Sequence, residues 1–90
     1  MKIIDFDDIA SFGISPIECY KWAEEMIRNK DKILLPAKTH MSMPGNIFCN
    51  VMPCIISGVC DYGGVKTVTR YPKRIPSLDS KILLFNTATG

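Results

Sequence analysis

Apolar positions recur with the helical period near the start of the chain and with strand-like alternation later on. Cys19, Trp22, Ala23, Met26 and Ile27 follow an i, i+3, i+4, i+7, i+8 spacing, while Glu18, Lys21, Glu24, Glu25 and Arg28 occupy the opposite side. Ser15-Pro16-Ile17-Glu18 supplies a hydroxyl at the N-cap, a proline at the first helical position and a glutamate three residues after the cap. Together these satisfy backbone N–H groups that have no partner within a helix. The pattern predicts a helix from Ser15 to about Lys30 whose Trp22 and Met26 side faces the core, with Glu24 and Arg28 in a favourable i, i+4 order.

Around that helix the chain reads mostly as strands. Lys2–Ile4 suits a short opening strand, and Asp5–Phe12 a helical turn broken by Gly13. Ile33-Leu34-Leu35 leads out extended, because a residue before a proline such as Pro36 avoids the α region. Ala37–Met43 and Ile47–Met52 form a hairpin about Pro44-Gly45-Asn46. Pro53 is expected to end or interrupt that pairing, followed by an apolar stretch, Cys54–Val59, containing Gly58. Gly63-Gly64 offers backbone conformations closed to other residues and leads into a strand over Val65–Tyr71. Pro72 and Pro76 bracket a basic loop. The last strand, Lys81–Asn86, is apolar throughout Ile82–Phe85 and is expected to be covered on both faces. The expected fold class is α+β: one main amphipathic helix packed on a largely antiparallel or mixed sheet, in a single domain spanning residues 1–90.

Composition narrows the function. Ninety residues suffice for one small domain with a thin core, burying about 60 to 65% of the surface its unfolded chain exposes. Lys and Arg number 11 against 9 acids, a net charge of +2 that is too small to suggest a nucleic-acid or membrane-surface partner. Apolar runs fall short of a membrane span, and MKIIDFDD places acids where a signal peptide would continue its apolar core. A cytosolic protein is expected. Cys19, Cys49, Cys54 and Cys60 form no CxxC pair and His40 stands apart from them, so no metal site is expected and the thiols are read as small, buried and reduced.

Lys66 is the first candidate for chemistry. In the alternating run from Val65 it shares a face with Val68 and Arg70, opposite Val65, Thr67 and Thr69. Taken alone, it is a solvent-facing lysine on an edge strand. Its surroundings point further. LLPAKTHMSMP, then NVMPC, then GGVKTVTRYPKRIPSLDSKILLFNTATG resemble, in content and order, the amino-terminal part of the ornithine cyclodeaminase and mu-crystallin family. The resemblance spans nearly the whole chain, weakest in the helix and strongest over Gly64–Gly90.

The resemblance implies a substrate-binding and dimerising domain, which in the full-length family precedes a Rossmann domain holding NAD or NADP. Lys66 matches the lysine at the family's substrate, where it assists chemistry at the amino or imino carbon. Lys38 matches a position where the family commonly has an arginine for the substrate carboxylate, and it offers a point charge in place of a two-pronged donor. Met52, beside Pro53, matches a methionine lining the pocket, whereas Arg70 receives no role. No GxGxxG follows a strand, so the chain alone is expected to bind no cofactor. The resemblance thus implies an incomplete domain lacking its Rossmann partner: a fragment, a truncated product or one part of a split enzyme. Its ligand would be a small amino or imino acid, and its partner a second copy or the missing cofactor domain. The other reading is a non-catalytic ligand-binding or assembly module on the same scaffold.

Overall fold

A computed structural model describes residues 1–56, 58 and 60–90. The fold class is α+β, with two α-helices and an antiparallel sheet of five strands among the described residues. The chain forms two compact units, Met1–Lys30 and Asp31–Gly90.

In the first unit, Phe6–Ser11 forms helix α1 and Pro16–Arg28 helix α2. Both begin with reciprocal caps. Asp5 accepts from the Asp8 N–H while Asp8 accepts from the Asp5 N–H, and Ser15 and Glu18 repeat the arrangement on α2. The aspartate pair does for α1 what the serine–glutamate pair does for α2, because either side chain offers an oxygen to an orphan N–H. Arg28 reaches back to Glu24 one turn earlier. The strand expected over Lys2–Ile4 is not formed: those residues join no ladder. Helix α2 ends at Arg28, and a 3₁₀ turn over Lys30–Lys32 follows. Trp22 remains 51% exposed and Ile27 73% exposed, while Met26 is half-buried.

The second unit is the sheet. Its strands are β1 (Ile33–Leu34), β2 (Thr39–Met43), β3 (Ile47–Ile56), β4 (Tyr62–Arg70) and β5 (Leu78–Asn86). β1 and β2 both pair with one side of β3, β4 pairs with the other side, and β5 closes the order beyond β4. The β2–β3 hairpin turns through Pro44-Gly45-Asn46, with φ of 90° at Gly45 and 60° at Asn46. Glycine and asparagine are the residues that tolerate this left-handed region, so the turn is written in the sequence.

Pro53 does not end the strand; it pairs with Val65 in the middle of the β3–β4 ladder. On the other side of β3, β1 takes Ile55–Ile56 and β2 takes Ile47–Val51, leaving Met52, Pro53 and Cys54 unpaired. A residue with no N–H is tolerated at such an interruption. Leu34 and Thr39 are five positions apart while their partners Ile55 and Val51 are four apart, so one extra residue is accommodated across this gap, as in a bulge. The expected run over Cys54–Val59 continues β3 as far as Ile56, and its Ser57 and Val59 lie outside the described residues.

Gly63 and Gly64 lie inside β4 and do not lead into it from a turn. They serve space and not φ. A Cβ on Gly63 would lie 2.5 Å from the Phe85 ring, and one on Gly64 would lie 2.7 Å from the Leu83 carbonyl oxygen. β5 begins at Leu78, earlier than expected, and is the sheet's edge; Ile82–Phe85 are 39 to 63% exposed. A continuous apolar run signals burial on both faces but cannot say whether the cover lies in the same chain. Among the described residues no hydrophobic side chain is fully buried, and the four cysteines are free, with Cys19 exposed and the others half-buried. The expectation of buried thiols is corrected to that extent.

The two glycines should differ in tolerance. Gly63→Ala meets a side chain that can swing aside, whereas Gly64→Ala meets backbone of the paired strand. Overpacking of this kind costs about 1 to 3 kcal/mol. Urea unfolding should therefore show a larger loss for Gly64→Ala than for Gly63→Ala; equal losses would mean that β5 does not approach β4 as described.

Candidate functional site

The paired registers fix which side chains share a face, because directly opposed residues in an antiparallel ladder project to the same side. Met52 lies opposite Lys66, and Lys66 opposite Ile82. Lys38 immediately precedes β2, whose first pair is Thr39 with Val51. Lys38 itself joins no ladder and lies in the gap between β1 and β2 that carries the extra residue. Met52, Lys66 and Ile82 thus form one transverse row across β3, β4 and β5. Met52 is half-buried, and the two lysines are exposed.

The next row on this face is His40, Asn50, Val68 and Ser80, and the one after it Ser42, Phe48, Arg70 and Leu78. His40 Nδ1 bonds Asn50 Oδ1, its directly opposed neighbour, and its ring lies 5.5 Å from that of Phe48 at a 43° tilt. His40, Ser42, Phe48 and Arg70, with the β2–β3 turn, line an open concavity of about 410 Å³.

Charge separates the two faces. The face of Lys66 carries Lys66 and Arg70 on its strands, and among the described residues no strand residue on it is acidic. On the opposite face Asp79 and Lys81 neutralise one another, Lys81 Nζ donating to Asp79 Oδ2 at 2.8 Å, and Arg74 Nη1 stands 3.9 Å from the same oxygen. The Lys81 ammonium, with a smaller contribution from Arg74, holds the Asp79 carboxyl below its ordinary value. Among the described residues Lys38, Lys66 and Arg70 make no ion pair.

The described residues do not fit a dinucleotide. A pyrophosphate is held where a glycine-rich turn leads from a strand into a helix N-terminus. Here the two adjacent glycines are paired on both sides within β4, and the N-terminus of α2 is occupied by its own Ser15 and Glu18. Among the described residues no three of His, Cys, Asp and Glu come together as metal ligands, and no helix is long and apolar enough to cross a membrane.

Arg70, Ser42 and His40 were not candidates in the sequence reading. Parity along β4 already put Arg70 with Lys66, but the partners from β2 emerge only from the ladder. No protein-family model, curated protein or solved structure matches this chain.

The place of Lys38 relative to this row can be measured. If Lys38 continues the β2 register, two inter-strand steps separate it from Lys66, a Cα separation of about 10 Å. Spin labels on cysteines substituted at both positions, in a background with the four native cysteines replaced, should show strong dipolar broadening. Spectra equal to the sum of the two single labels would place the lysines on different faces.

Proposed function

We propose that this chain is the substrate-binding portion of an NAD(P)-dependent enzyme similar to ornithine cyclodeaminase. It would act on an amino or imino acid, by cyclodeamination or by reduction of a C=N or C=O bond. Lys38 and Lys66 hold the anionic substrate, Met52 forms the apolar floor between them, and Lys66 exchanges a proton at the reacting end. The observation that supports this reading is the pairing of Met52 with Lys66 on a sheet face whose strands bear no carboxylate, with Lys38 immediately before β2. Two cations across one half-buried thioether suit a carboxylate attached to a short carbon chain.

In this reading the 90 residues are an incomplete substrate-binding and dimerising domain, the dinucleotide is held by a separate Rossmann domain, and the protein works in the cytosol. The Trp22 and Met26 stripe of α2 is buried in the assembled protein, where Trp22→Ala should cost about 3 to 5 kcal/mol. A second reading, a ligand-binding or assembly module without chemistry, is favoured by the apolar edge of β5, since an exposed edge of that kind is a template for pairing with another chain.

The chain on its own should bind neither NADH nor NADPH and should turn over neither ornithine nor alanine. A hydride donor must be fixed about 3 to 3.5 Å from the substrate carbon, and that positioning comes from the cofactor domain. Titration followed by nicotinamide fluorescence, with and without amino acid, tests this. Saturable micromolar binding, or product formed above a Lys66→Ala control, would overturn it.

A further inference from the structure

We infer that the Lys66 face binds its ligand at two ends, with Arg70 and Ser42 forming a second anion subsite. The substrate is then an amino or imino acid, or the matching oxo acid, that carries a second acidic group. The inference rests on the proposed reading of Lys38 and Lys66 as the first subsite.

Arg70 and Lys66 lie on the same face of β4, four residues and about 13 Å apart. Between them is the row of His40, Asn50 and Val68, which separates the two cationic groups without adding an acid. The carboxylate carbons of a five-carbon diacid are about 5 Å apart when extended. Two long side chains leaning inward over Val68 can grip both ends. A monoacid of the same length reaches only one.

The second end has the donor set that a carboxylate requires. Arg70 offers a planar fork, and Ser42, two positions away across β3 in the same row, offers a hydroxyl. Phe48 lies between them in that row, and its ring and that of His40, which is held by Asn50, form the wall of the concavity. Among the described residues Arg70, at the head of this hollow, makes no ion pair with a carboxylate, whereas Asp79 on the other face is already matched by Lys81 and Arg74. Two like charges on one strand face, Lys66 and Arg70, favour an anion of more than one charge.

The test compares 2-oxoglutarate with 2-oxopentanoate, the same chain with one carboxylate replaced by a methyl group, in calorimetric titrations of the full chain. The diacid should bind about tenfold or more tighter, the size expected for one charge-assisted contact. Arg70→Gln should remove that preference while leaving the monoacid unchanged, and Arg70→Lys should restore part of it. Lys73→Gln, which removes an equal charge from the neighbouring loop, should leave the preference intact; if it erased the preference as fully as Arg70→Gln, the effect would be net charge and the subsite would be refuted. Far-UV circular dichroism confirms that each variant keeps its fold. Monoacid binding that depends on Lys66, with no preference for the diacid, would overturn the Arg70 subsite alone. A preference that Arg70→Gln removes and Lys66→Gln leaves untouched would uphold the Arg70 subsite and overturn the reading of Lys66. Binding of neither acid would overturn both.

Discussion

The close approach of β5 to β4 at Gly63 and Gly64 is the constraint on which the sheet depends. Phe85 lies directly opposite Gly63, and its ring fills the space a side chain would take. A slip of one residue in this ladder would set the ring against Tyr62 or Gly64 and carry the whole of β5 to the other face. The same steric fit that packs an aromatic ring over a bare backbone therefore also fixes where Ile82 falls beside Lys66. Through the β3–β4 ladder, continuous from Phe48↔Arg70 to Ile56↔Tyr62, that register reaches Met52.

Signals in the sequence are legible where the physics is local. The Ser15 and Glu18 caps and the apolar period gave α2, and Pro44-Gly45-Asn46 gave the first hairpin. Errors came where the deciding neighbour is distant in sequence. Gly63-Gly64 reads as a place of backbone freedom ahead of a strand until Phe85 is brought against it, and Pro53 looks like a strand terminator until the gap between β1 and β2 is seen beside it. Lys2–Ile4 has strand-forming residues but finds no partner strand, and β-propensity without a ladder fixes nothing.

The candidate site was legible to the same extent. Alternation along β4 alone puts Lys66, Val68 and Arg70 on one face, so both of its strand-borne cations can be read from parity. What parity cannot supply is the alignment across strands, which brings His40 and Ser42 to that face through the β2 and β3 registers. The resemblance to a known family drew attention to Lys38, Met52 and Lys66 and away from Arg70, which it left without a role. The acid-free character of the face is a property of all its strands together and belongs to no motif.

An exposed row of cations is a weak site until it is covered. Two unit charges 4 Å apart attract by about 1 kcal/mol in bulk water and by about 4 kcal/mol where the effective dielectric falls to roughly 20. Lys66 and Lys38 are open to solvent, so on the bare sheet water competes for every contact they could make with a carboxylate. A layer laid over this face would raise the strength of each contact several-fold without moving a single side chain of the sheet. On the reading proposed above, substrate binding and burial of the apolar residues around Lys66 would be one event, on a face that combines Met52, Val68 and Ile82 with positive charge.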